Sequence, residues 1–307
     1  MIVDERRTWW QQLSAWRGTA LQRIWPRLAL VMAASAVLTW LHVVVDRRFD
    51  VLTPLPFSLV GVALGIFLGF RNNASYDRFW EGRRLWGELV NTSRSFARQV
   101  LTLVEPEPAA PQRRQALIHA TAGFAHALRG HLRGEPVGAE LDALLDDGDR
   151  EAVRTARHAP LAILSRLGES LAQARRAGAV DPLHVPVLEA SLTALTGILG
   201  ACERIRNTPL PASYTVLIHR IVAVYVFTLP FGILDGIGPF TPIVVGFIAY
   251  ALLGLDAIGD ELENPFGTDA NDLPLATLCR GIEINLREAL GERELPPPLP
   301  PRDGVAL

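Results

Sequence analysis

The chain reads as long apolar runs set apart by amphipathic stretches. Leu28–Val45 is an apolar run of 18 residues, and Val51–Phe70 has no charged side chain in 20. Two further runs follow late in the chain, Tyr214–Leu234, with His219 and Arg220 near one end, and Ile237–Leu255. A hydrocarbon core about 30 Å thick takes roughly 20 apolar residues of helix, so these four runs predict four membrane spans. Between the last two, Asp235–Gly238 ("DGIG") predicts a tight turn, with Pro239 and Pro242 just beyond it.

The stretch between the second and third spans has helical period throughout. Residues 71–104 lack proline and continue the second span without a break, until "EPEPAAP" (105–111) ends the helix. Further helices are predicted over about 112–133, 150–177 and 186–206, with an acidic loop between the first two. Leu188, Leu192, Leu195, Leu199 and Cys202 step by four and three, the spacing of a helix-packing seam. A last helix is predicted over about 275–290, ahead of a Pro-rich tail. The expectation is an all-α fold.

Composition agrees with a mixed solvent. Hydrophobic residues make up 49% of the 307 and charged residues 20%, with mean hydropathy +0.21. That is too apolar for a typical water-soluble domain and too charged for a bare membrane bundle. The formal net charge of −2 gives no footprint for nucleic acid. All 30 basic residues are arginine, and their placement sets orientation. Arg6, Arg7, Arg17, Arg23 and Arg27 precede the first span, Arg71, Arg78, Arg83 and Arg84 follow the second, and Arg204 and Arg206 precede the third. Both termini and residues 71–209 are therefore expected in the cytoplasm. An arginine-rich start before an apolar run also describes a signal peptide, but this run is longer than a usual signal core and is read as a retained span.

The junction "FLGFRNNASYDRFWEGRRLW" (67–86) raises the functional question, because one helix passes from an apolar to a charged sequence without a loop. Gly61, Gly65 and Gly69 recur every four residues, as do Val62, Ile66 and Phe70, so a bare stripe lies beside an apolar one. Glycine stripes let membrane helices approach closely. With several copies around an axis, the glycines would pack against the neighbouring copy. Val62, Ile66 and Phe70 would stack as apolar rings that gate by dewetting, above a polar vestibule.

At these residues the chain resembles the bestrophin family, specifically its prokaryotic branch. The likeness rests on "FSLVGVALGIFLGFRNNASYDRFWEGRRLWGELV" (57–90), "CERIRNTPLPASYTVLIHR" (202–220) and "DELENPFGTDANDLPL" (260–275), and covers most of residues 20–290 in order. It implies a homopentameric ion channel with four spans per subunit, a helical cytosolic region and one axial pore. By position Val62, Ile66 and Phe70 would form its hydrophobic neck, and Leu183 and Val185 a second constriction at the cytosolic exit. Animal members hold calcium in a clasp after "NPFG"; here only Asp269 and Asp272 match. Two carboxylates fall short of the six to eight oxygens calcium takes, and Asp272 is expected instead to cap the helix starting near Leu275.

The resulting organisation is a cytosolic segment at 1–27, spans 1 and 2 at 28–70 with the neck at 57–70, and a helical cytosolic region at 71–209. Spans 3 and 4 follow at 210–256, a cytosolic loop and helix at 257–294, and a tail at 295–307 expected to be disordered. The location implied is the inner (plasma) membrane, with lipid and small monovalent ions as partners, no cofactor, and no enzymatic activity. Walker, dinucleotide-binding and nucleophile-elbow motifs are missing from the sequence. The slightly acidic chain and the lack of a positive ring at the neck favour cations. The alternatives are an anion channel of the same build and a membrane-anchored scaffold. Internal repeats, which a transporter would show, are not visible. His119 and His126 share a helix face without a third ligand and read as structural, His219 and Arg220 as headgroup or helix-end contacts, and Cys202 and Cys279 as buried free thiols.

Overall fold

The computed structural model describes residues 1, 8–16, 18–43, 45, 53–107, 110, 112–136, 138–301 and 304–306. Arg6, Arg7, Arg17, Val44 and 46–52, which carried parts of the topology argument, lie outside the described residues. The helices are α1 (Trp9–Leu13), α2 (Ala20–Val43), α3 (Pro54–Leu103), α4 (Arg113–Arg133), α5 (Asp147–Thr155), α6 (Ala159–Arg176), α7 (Val185–Asn207), α8 (Ala212–Ile237), α9 (Thr241–Glu263) and α10 (Leu275–Ala289). Strand pairing among the described residues is limited to two isolated bridges, Val104 with Val180 and Glu107 with Ala110. The all-α expectation holds.

Two compact units are built from these helices. One comprises Met1–Val3, Trp80–Thr208 and Pro265–Leu307, the other Asp4–Phe79 and Pro209–Asn264. The second unit packs α2, the first part of α3, α8 and α9 around Ile24, Val31, Leu64, Leu68, Val222, Val226, Leu229, Val245 and Leu253. Its outward side chains are also apolar: Leu59, Val224, Ile243 and Phe247 are all exposed. A surface of that kind suits lipid rather than water.

The first unit has the opposite surface, with apolar side chains inside and charges outside. Its α4 is buried along most of its length, and the α7 seam Leu188, Leu192, Leu195, Leu199 and Cys202 is wholly buried. Cys202 and Cys279 are free and buried, as expected, and burial pushes each thiol up to about 12. His119 and His126 serve structure, lying 2.5 Å from Glu292 Oε1 and 3.1 Å from Glu283 Oε2.

Three local expectations are corrected. The single helix predicted over 150–177 is two, α5 and α6, because Pro160 lacks an amide hydrogen and residues before it turn extended, Ala156 having ψ 136°. The turn expected at Asp235–Gly238 begins three residues later. Asp235 and Gly236 stay helical; Gly238, at φ 60°, breaks the chain, and a 3-10 turn over Gly238–Phe240 leads into α9. In the tail, Ala306 exchanges backbone hydrogen bonds with Met1, its amide donating to Met1 O at 2.9 Å. That anchors one point of a segment expected to be disordered.

Candidate pore helix and its buried anchor

Helix α3 resolves the junction by keeping one face buried along its length. Leu64, Leu68, Arg71, Ser75, Trp86, Leu89, Ser93, Phe96 and Val100, stepping mostly by three and four, are each no more than 2% exposed. The chemistry of that face changes at Arg71, from leucines alone to a mixture of polar, aromatic and aliphatic side chains. The opposite face starts apolar and open. Val62, Ile66 and Phe70 are 65%, 54% and 65% exposed within the subunit. The change of sequence at residue 71 is therefore a change of neighbours, with no break in the helix.

Arg71 is the anchor. Its side chain is fully buried, one residue past Phe70, and its Nη1 lies 2.6 Å from Asp256 Oδ1. Nη1 also reaches the Asp256 carbonyl at 3.3 Å, and Nη2 donates to Asp260. Asp256 and Asp260 are one turn apart on α9, so both carboxylates face the same guanidinium. His219 of α8 completes the group, with Nε2 3.1 Å from Asp256 Oδ2 and 3.3 Å from Asp260 Oδ2. A buried arginine without a carboxylate would be prohibitive in this apolar unit; the two carboxylates of α9 make it tenable. Close approach of α9 is permitted by Gly259, where an added Cβ would sit 2.5 Å from Asn72 Oδ1. Two more bonds hold α3 nearby: Tyr214 donates to Phe67 O at 3.2 Å, and Arg78 Nε to Glu263 O at 3.2 Å.

His219 thus meets the two carboxylates of α9, not a headgroup or helix end. The glycines divide. A Cβ on Gly61 would stand 2.7 Å from the Tyr225 hydroxyl of the same chain, whereas Gly65 and Gly69 have nothing within 4 Å. Leu183 is 82% exposed, just before α7, and Val185 is the first residue of α7. Asp272 Oδ2 accepts the Asp269 amide at 2.7 Å. The Asp272 cap expected for α10 is not seen: its N-cap is Pro274, without a side-chain cap bond. Neither described group of potential metal ligands includes Asp269 or Asp272.

Sequence reasoning missed the anchor. Asp256 and Asp260 follow the fourth apolar run at helical spacing, which was the available signal, and Arg71 served only as an orientation marker.

The Bacterial/Fungal Bestrophin protein family matches residues 1–288 of this sequence. The chain belongs to that bestrophin family. A voltage-dependent anion channel-forming protein of Ralstonia nicotianae is 42% identical over 300 residues, covering 96% of each chain. The protein of the same description, YneE, from Escherichia coli is 37% identical over 296 residues, again covering 96% of each. A crystal structure of a bacterial bestrophin homologue from Klebsiella pneumoniae superposes with TM-score 0.80 at 35% identity, covering 88% of this chain and 100% of that one. Helices α2, α3 and α7 and the α8–α9 stretch are long and apolar enough to cross a membrane. This bestrophin is accordingly a multi-pass membrane protein.

Proposed function

We propose that this bestrophin is a passive ion channel, assembled as a homopentamer with the first part of α3 lining a shared axial pore. The observation that carries the reading is the division of α3. One face is buried in its own subunit, and the opposite face offers Val62, Ile66 and Phe70 to whatever lies beyond it. Fivefold repetition would turn that stripe into stacked apolar rings, narrow enough to expel water and close the path without a moving plug. Gly65 and Gly69 have the space to receive a neighbouring helix. Leu183 and Val185 would form a second constriction further along the path.

The spans in this reading are α2, the first part of α3, α8 and α9, with both termini cytoplasmic in the inner membrane. Helix α7 is apolar enough to cross but is assigned to the cytosolic region, because its leucine seam is already buried in its own unit.

Anions are the proposed cargo. The relatives carry names that specify anion channel formation, which goes against the cations favoured from composition. The physical reason is that an uncharged neck reads no ion's sign, so a net charge of −2 spread over the whole chain says little about the pore.

Purified protein in planar bilayers tests the reading. Discrete unitary currents are expected, with a reversal potential in asymmetric NaCl lying toward the chloride equilibrium potential. A reversal toward sodium would overturn the choice of ion alone. Silence from verified, oriented protein would overturn the channel and favour the membrane-anchored scaffold.

A further inference from the structure

In the first unit, three side chains from distant parts of the sequence meet at one point. His131 lies in the last turn of α4, His158 caps α6, and Glu203 stands near the end of α7. Glu203 Oε1 is 2.7 Å from Nε2 of both histidines, and the two rings lie 4.5 Å apart between centroids, tilted by 30°. We propose that His131, His158 and Glu203 form a binding site for a divalent transition metal of the zinc type.

The donor set selects the ion. Two imidazole nitrogens and one carboxylate oxygen suit zinc and its neighbours, whereas calcium and magnesium take oxygen shells. All three donor atoms lie within 4.8 Å of one another. Zinc at about 2.0–2.1 Å from each donor in tetrahedral geometry separates them by about 3.3 Å, so small side-chain rotations open the trio around an ion. The three side chains are between 24% and 33% exposed, which leaves water for the fourth position and a route from solvent.

The surroundings favour a cation. The neighbouring Arg204 is engaged by Glu81 at 2.5 Å, and Arg206 is turned onto the His131 carbonyl. His158 Nδ1 accepts the Leu161 amide at 3.3 Å. A metal on Nε2 moves the ring proton to Nδ1 and gives up that long bond. The other His/carboxylate group, His219 with Asp256 and Asp260, makes a poor cation site, because the Arg71 guanidinium already lies against both carboxylates.

The test is zinc titration of full-length, tag-free protein in detergent after chelator treatment, by calorimetry and by metal content. One zinc per chain is expected, undisturbed by equal calcium or magnesium, with cobalt(II) giving the visible absorption of a four-coordinate site. Glu203→Gln, which keeps size and hydrogen bonding, and the pair His131→Asn with His158→Asn should each weaken zinc by tenfold or more, while Asp260→Asn leaves it unchanged. Size-exclusion profiles establish that the variants remain assembled; if the histidine pair misassembles, Glu203→Gln carries the comparison. Wild-type protein without stoichiometric zinc, or Glu203→Gln with undiminished affinity, overturns the proposal.

Discussion

Arg71 Nη1 and Asp256 Oδ1 stand 2.6 Å apart, with both side chains almost entirely removed from solvent. They are 185 positions apart in sequence. Because Arg71 directly follows Phe70, this pair ties the end of the proposed neck to α9. Replacing Arg71 by Met should strand two carboxylates in an apolar unit and destabilise the subunit by roughly 3–5 kcal/mol. Asp256→Asn should also cost stability, and the double variant should cost less than the sum of the two. Thermal unfolding of the detergent-solubilised protein measures this. Additive losses would show that the pair is not coupled.

Truncating the exposed stripe should ease passage. Ile66→Ala and Phe70→Ala are expected to raise single-channel conductance or open probability, because a wider apolar ring holds water more readily. Reversal potentials should barely move, since no charge changes. Bilayer currents indistinguishable from wild type in either variant would remove the stripe from the pore.

The glycines should respond in two different ways. Gly61→Ala puts a methyl 2.7 Å from the Tyr225 hydroxyl, so it should destabilise the subunit, and Tyr225→Phe should restore most of the loss. At Gly65 an added Cβ has nothing of its own chain within 4 Å, so Gly65→Leu should leave the subunit folded but block assembly. Light scattering coupled to size exclusion distinguishes the two, and a normal oligomer with Leu at 65 would exclude packing between copies at that position.

Acid should weaken the first unit through Glu283. Burial pulls this carboxyl up, but the hydrogen bond from His126 and the charge of Arg280 prevail, so it titrates below its ordinary value. A carboxylate depressed in the folded state stabilises fully above its unfolded value, about 4.3, and the contribution fades as pH falls through the folded value. Glu283→Gln should therefore be less stable than wild type by a constant margin above about pH 5, and the gap should close below about pH 4. A margin that persists unchanged in acid would assign the effect to packing alone.

Helices were legible because their causes are local. Apolar spacing, missing prolines and arginine placement lie within a few residues of what they determine. That locality is why α3 could be read as one helix through residue 71, and why all five residues of the α7 seam are buried, alongside Ser191, Ile198 and Ile205. Breaks were legible less well, as at Ala156 and Gly238, where one proline or one positive φ competes with strong helical period on either side.

From the sequence alone came the helical class, the apolar runs, the family and the stripe Val62, Ile66 and Phe70. Only the tertiary structure decided which face of α3 is buried, that Tyr225 claims Gly61, that Arg71 meets Asp256 and Asp260, and that His131, His158 and Glu203 converge. Helical hydrogen bonds join residues four apart, so their pattern is written along the chain. An ion pair or ligand trio joins residues tens to hundreds of positions apart, and only the packing of whole helices brings those side chains within reach.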